Sequence, residues 1–399
     1  MTLLQRIHEE AVGLLHRLTT PFGILASTIE ADNYKRIWAR DSIICGLAGI
    51  LLEDDRIITG LKNSLLTLAK EQHELGMIPS NVLPGESVDV SFGSLAGRID
   101  ANTWFVIGSC LYYLESKDAD TWRTLKPAIV KCRNFLKSVE YNDKGWIYTP
   151  LSGNWADEYP IHGYTLYDNV LRLWGERLWL EISGEDSAVL DAILEKTVYN
   201  FWPSDGTGKN NVYQKAAFNE ALTANAGHYA AFILPGCYDM RFDAAGNALA
   251  LLLFENEEFQ KEEMKNFMHQ LKDSLGNHLI PAFWPVITEE SPDWKLLKGN
   301  YSFDFKNVPG YFHNGGIWPV WMGLFCLGLS KSGMNEEAEM IVQDFVKLIS
   351  ESSAWNFNEY IDAVDFGLDG KAEMGYTASG IVFMKAAVER TSLLKKFHL

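Results

Sequence analysis

Helix-length stretches that are apolar on every side alternate along this chain with stretches that are apolar on one side only. That alternation narrows the possible folds more than any other feature. "DSIICGLAGILL" at 41–52 has almost no polar position, and "DDRIITGLKNSLLTLAKEQHEL" at 54–75 has polar residues between apolar ones at helical spacing. The pairing recurs in "DANTWFVIGSCLYYLES" (100–116) with "ADTWRTLKPAIVKCRNFLKSVE" (119–140), and in "GYTLYDNVLRLWGERLWLEI" (163–182) with "EDSAVLDAILEKTVYNFW" (185–202). It returns late in "GGIWPVWMGLFCLGLSKSG" (315–333), "NEEAEMIVQDFVKLISES" (335–352) and "GYTASGIVFMKAAVERTSLL" (375–394). A helix that is apolar all round needs cover on every side, and an amphipathic one needs it on a single face. An inner ring of the first kind inside an outer ring of the second satisfies both. The expectation is an all-α fold, a double ring of roughly a dozen helices, with short strands confined to connections such as "FGILAST" and "KGWIYTPL".

No linker rich in Pro, Gly or Ser divides the chain, so residues 1–399 are read as a single domain. The stretch from about 202 to 310 is the least regular, and long irregular connections usually carry function or a lid. The net charge of −17 argues against nucleic acid and anionic membrane as partners, because neutralising phosphates takes clustered Lys and Arg. A neutral or cationic substrate suits such a chain better. Cys45, Cys110, Cys132, Cys237 and Cys326 are scattered, which fits reduced core thiols and neither a disulfide framework nor a zinc site. No metal or other cofactor is expected. The amphipathic start "MTLLQRIHEEAVGLLHRL" is unlike a signal peptide, and no apolar run reaches membrane-spanning length, so a cytoplasmic location is expected. Nothing in the sequence bears on oligomeric state.

Thirteen tryptophans exceed what a core requires, and flat amphipathic rings suit ligand stacking. Five polar loops join Trp to acids or amides: 34–42 "YKRIWARDS", 97–105 "GRIDANTWF", 153–164 "GNWADEYPIHGY", 312–321 "FHNGGIWPVW" and 355–362 "WNFNEYID". Four of them sit at or just before the start of an apolar helix. If the inner helices all start at one end, these loops converge on one mouth, which is where a ligand site is expected. Aromatic faces with Asp, Asn, Arg and His suit a sugar, and two carboxylates can then act as acid and base on a glycosidic bond. Asp157 lies two residues from Trp155 and beside Glu158, so an apolar neighbour and a second acid are expected to keep it protonated. Glu359 is the best-placed carboxylate for the facing role.

Taken in order, "IWARDS", "GRIDANTWFVIG", "NWADEYPIHGYTLYDN", "FHNGGIWPV" and "FNEYIDAVDFGLDGKAEMGYTASGIV" resemble the (α/α)6-barrel glycoside hydrolases. The neutral invertases are one branch of these, and the amylo-α-1,6-glucosidase part of glycogen debranching enzymes is another. The resemblance implies an (α/α)6 toroid and an inverting glycosidase acting on a small α-linked glucoside, sucrose or a short α-glucan. It implies Asp157 as general acid, Glu359 as general base, and a sugar subsite of Trp38, Arg40, Asp41, Arg98, Asp100, Trp104, His313, Asn314 and Trp318. Trp155, His162 and Tyr360, in the same loops, join these as substrate-binding candidates. The invertase acid is followed by two arginines; here Glu158 and Tyr159 follow Asp157. Two other readings stay open. One is a sugar isomerase or epimerase on the same double ring, which would call for several histidines at the mouth. The other is a carbohydrate-binding protein without catalysis.

Overall fold

The computed structural model describes residues 2–30, 33–85, 87–204 and 212–399, with the backbone alone for Leu393. Helix α1 (Leu3–Leu18) opens at a reciprocal cap between Thr2 and Gln5 and buries Ile7, Ala11, Leu14, Leu15 and Leu18 along one stripe. Strands β1 (Thr19–Thr20), β2 (Gly23–Ile24) and β3 (Ile37–Trp38) precede α2 (Ala39–Leu52) and α3 (Asp55–Lys70). β4 (Asn81–Leu83) and β5 (Asp89–Ser91) precede α4 (Ile99–Ser116) and α5 (Ala119–Ser138). β6 (Tyr164–Thr165) leads into α6 (Leu166–Ser183), α7 (Ala188–Phe201) and α8 (Lys215–Ala224). β7 (Phe232–Leu234), β8 (Cys237–Asp239) and β9 (Phe242–Asp243) lead into α9 (Ala244–Leu253) and α10 (Glu258–Leu275). β10 (Phe283–Trp284) and α11 (Trp294–Lys298) come before α12 (Pro319–Lys331) and α13 (Asn335–Glu351). β11 (Tyr360–Ile361) and β12 (Leu368–Asp369) come before α14 (Gly375–Val388), and a 3-10 turn over Ser392–Phe397 follows.

Helices α2, α4, α9, α12 and α14, and α6 over most of its length, are buried on all sides. They contact one another in a closed circuit: α2 on α4, α4 on α6, α6 on α9, α9 on α12, α12 on α14, and α14 back on α2. The half-exposed helices α3, α5, α7 and α13 each pack on the buried helix before them, and α1 packs on α14. Half-buried Asp54 caps α3, its carboxylate accepting from the backbone N–H groups of Arg56 and Ile57. The short antiparallel sheets β3-β4-β5 and β6-β7-β8 hold the connections that enter α2 and α6.

The stretch from 202 to 310 is more regular than expected. It contains α9, one of the six members of the circuit, together with α10, while its residues 205–211 lie outside the described part of the chain. α9 spans ten residues, "AAGNALALLL", too short to show a period. Four of the five cysteines are buried free thiols, but Cys237 on β8 is exposed rather than a core thiol. Among the described residues no helix is long and apolar enough to cross a membrane, and no cluster of His, Cys, Asp and Glu has the makings of a metal site.

Candidate active site

The loops that enter α2, α4, α6, α12 and α14 surround one cavity of about 860 Å³, a size that suits one or two sugar rings. Trp38 is the last residue before α2, and Arg40 and Asp41 lie in its first turn, so all three reach the wall. Arg98 stands just before α4, and Trp155 and Asp157 lie in the loop before α6. His313 and Trp318 come from the loop before α12, and Glu359 and Tyr360 from the hairpin before α14.

Four of the expected binding residues are not on the wall. Asp100 lies one layer behind it, accepting from Arg40 Nη1 at 3.1 Å and from the Tyr167 hydroxyl at 3.3 Å. Trp104 is further back and donates to that same hydroxyl at 2.8 Å. Both hold Arg40 in place. The Asn314 side chain is spent on backbone, donating to the carbonyls of Ile287 and Asn307 and accepting from the Ile287 N–H. His162 is half-buried against Phe232, with ring centres 5.4 Å apart. Their types matched the site, but Asp100 and Trp104 sit in α4, which is buried on every side and so shows no preferred face, and a loop residue such as His162 or Asn314 has no period to reveal its direction.

The carboxylates differ in their surroundings. Burial pushes the Asp157 carboxyl up, but the Arg98 guanidinium, paired with it directly, outweighs that and holds it below its ordinary value. Arg98 is itself fixed by the carbonyls of Ser152 and Asn154, at 2.7 and 3.1 Å. The expectation that Trp155 and Glu158 keep Asp157 protonated is therefore corrected: the pairing with Arg98 favours its carboxylate form. Glu359 goes the other way. Burial raises it, and that outweighs the hydroxyls of Tyr34 and Tyr376, which donate to Oε1 at 2.9 and 3.0 Å, and the Lys371 N–H, which donates to Oε2 at 3.3 Å. Gly370, at φ 72, passes so close that a Cβ there would sit 2.4 Å from the Glu359 Cβ. Burial raises Asp41 to about 6 against the pull of Arg40, and pushes His313 down to about 3, leaving it neutral.

Tyr34, Phe312, Trp321 and Tyr376 also line the cavity and were not singled out in the sequence, although all four lie inside the quoted stretches. Trp155 packs on Trp321 at 5.0 Å and edge-on to Trp318 at 5.4 Å, and Trp318 stacks on Tyr360 at 5.5 Å. Among these rings and carboxylates, Trp155 Nε1, Glu158 Oε2 and His313 Nδ1 are buried and make no hydrogen bond within the described residues, while Asp41 Oδ1 is paired with Arg40 Nε at 3.3 Å. Acceptors and a donor left over on the wall of an aromatic cavity are what a polyhydroxylated ligand would pair with.

A family model for alkaline and neutral invertases matches residues 186–389. The chain belongs to the alkaline and neutral invertase family. It is thus a glycoside hydrolase. It is 26% identical to the probable chloroplastic alkaline/neutral invertase A of Arabidopsis thaliana over 97% of this chain and 71% of that protein. It is also 26% identical to the mitochondrial alkaline/neutral invertase C of the same plant, over 47% of this chain and 28% of that protein. In structure it is similar to a mannosylglycerate hydrolase from Thermus thermophilus in complex with glucose, with a TM-score of 0.63, 14% identity, and 95% and 100% of the two chains covered. It is likewise similar to a rhamnosidase from Klebsiella oxytoca with rhamnose bound, at 0.63 and 12%, covering 96% of this chain and 63% of that one.

Proposed function

We propose that this member of the family is an inverting hydrolase of an α-linked glucosyl bond in a small sugar, sucrose or a short α-glucan, with Asp157 as general acid and Glu359 as general base. The observation that carries the reading is the pair of largely buried carboxylates on one sugar-sized cavity, Asp157 against Arg98 and Glu359 beneath the hydroxyls of Tyr34 and Tyr376. The invertase names of the plant relatives support sucrose as the first candidate. We read the closed circuit of buried helices as the inner ring of an (α/α)6 toroid, a reading supported by the match to the mannosylglycerate hydrolase.

In this mechanism Glu359 takes a proton from the attacking water while Asp157 gives one to the departing oxygen. Tyr34 and Tyr376 occupy Oε1 of Glu359, so Oε2, which among the described residues takes the longer bond from the Lys371 N–H, is the oxygen left to take the proton from water. Asp157 starts as a carboxylate against Arg98 and must gain a proton as substrate enters. Displacing solvent around it raises its proton affinity. Once the proton is given away, Arg98 stabilises the carboxylate that remains.

Azide and α-glucosyl fluoride separate the two roles. Glu359→Gln should lose hydrolysis and regain turnover with azide, yielding a glycosyl azide of inverted configuration. Asp157→Asn should lose hydrolysis of sugars but keep hydrolysis of α-glucosyl fluoride, whose leaving group needs no proton. The opposite pattern would exchange the roles, a second reading that the raised Glu359 and lowered Asp157 favour. The isomerase reading is weaker: of the two loop histidines only His313 lines the cavity, and it is neutral.

A further inference from the structure

Glu158 follows the proposed acid, lines the same cavity, and is 6% exposed. Its Oε1 accepts from the Ser302 N–H at 3.1 Å, and its Oε2 is buried without a partner among the described residues. A strap over residues 300–307 wraps this point. Asn300 donates to the Asp157 carbonyl at 3.2 Å, and Asn307 donates to the Glu158 carbonyl at 2.8 Å. Between these anchors the strap presents Phe303, which lines the cavity yet is 85% exposed. Across the mouth the Ser302 hydroxyl meets that of Ser94 at 3.3 Å.

We propose that Glu158 and Phe303 form the leaving-group subsite and select a hydroxyl-bearing leaving group, a second sugar ring or a polyol. The proposal rests on the hydrolase reading above. A general acid stands at the glycosidic oxygen, between the sugar held deep and the group that departs toward solvent. Asp41, Trp155 and His313 form the deep wall with buried polar atoms, whereas Phe303 stands at the open rim. Glu158 follows Asp157 on the same wall, and its Oε1 is bonded to the strap residue next to Phe303, which ties the acid's neighbour to the rim. An ionised carboxylate oxygen only accepts, so its partner must be a donor such as a hydroxyl. The aromatic face of Phe303 offers the flat apolar surface on which the C–H face of a ring rests. The strap carries Asp304 next to Phe303 and Lys306 three residues on, so with Glu158 its end of the cavity holds more negative than positive charge, which disfavours an anionic leaving group.

The experiment measures kcat and KM for wild type, Glu158→Gln and Phe303→Ala. The probes are α-glucosyl fluoride and whichever of sucrose, trehalose, maltose, isomaltose and kojibiose the wild type cleaves. Glu158→Gln keeps size but offers a donor where an acceptor stood. On the disaccharide its KM should rise about 10- to 100-fold, the loss expected for a hydrogen bond to a charged group, with kcat little changed. On the fluoride, whose leaving group has no hydroxyl, KM should move by no more than about 3-fold. Phe303→Ala, at an exposed position, should show the same one-sided rise even if Glu158→Gln folds poorly. Equal losses on both substrates, no loss on either, or a fall in kcat alone would each overturn the proposal. Wild type cleaving the fluoride but none of the sugars would overturn it and leave the hydrolase standing. Wild type cleaving neither would bring down the hydrolase reading and this proposal with it.

Discussion

Asp157 and Glu359 are both largely buried carboxylates, yet one is held below its ordinary proton affinity and the other above it. The deciding neighbours are far away in sequence. Arg98 is 59 residues from Asp157, and Tyr34 is 325 from Glu359. The motifs marked both acids and both loops, because residue type and order survive in sequence. The pairing did not, because a guanidinium's reach across a cavity depends on how two helices are set. Asp157→Asn should lower kcat on the cleaved sugar by about 100- to 10,000-fold, the range for losing a general acid, while equilibrium titration still detects sugar binding. Turnover like that of wild type would end the assignment. Glu359 supplies the pH test. As a base it must be charged, so kcat/KM should fall as pH drops through its raised pKa, at higher pH than for an ordinary glutamate. Tyr34 donates to the charged form, so Tyr34→Phe should raise that pKa further and move the acidic limb to higher pH. A limb that stays put, or moves down, would separate Tyr34 from Glu359.

At the scale of elements, periodicity located α2 to α7 and α12 to α14 because each is long enough to show a face or the lack of one. It missed α9, ten residues long, and α10, whose start is strongly polar. It was also silent on how closely helices approach. α12 and α14 meet through glycines: a Cβ on Gly380 would stand 2.3 Å from the Pro319 carbonyl oxygen, and one on Gly323 would stand 2.3 Å from that of Gly380. Backbone cannot give way as a side chain can, so Gly380→Ala should destabilise the protein by about 3 kcal/mol or more, read from denaturant unfolding. Trp318 and Tyr376 sit at the ends of this joint, so the folded fraction should also lose activity. On the outer layer, Asp54 caps α3 and pairs with His16 of α1 at 2.6 Å. Asp54→Ala should cost about 1–2 kcal/mol and leave kcat unchanged, since that cap lies away from the cavity. A larger effect on kcat than on stability would contradict this division.

For the whole molecule, the alternation of all-apolar and one-sided segments carried the helix-on-helix architecture, and the shared start of the buried helices explains why five separate loops meet at one cavity. The sequence did not reveal which residues of the loops and first helical turns reach the cavity. Asp100, Trp104 and Asn314 hold the lining in place from behind, and Tyr34 and Tyr376 grip Glu359 from the wall itself. The central claim is that Asp157 and Glu359 hydrolyse an α-glucosidic bond with inversion. Proton NMR of the purified protein with sucrose, trehalose, maltose, isomaltose, kojibiose and short glucans tests it most directly. The account predicts that one of these is cleaved and that β-glucose appears before mutarotation produces the α anomer. α-Glucose as the first product, or no cleavage of any sugar in the panel, would contradict it.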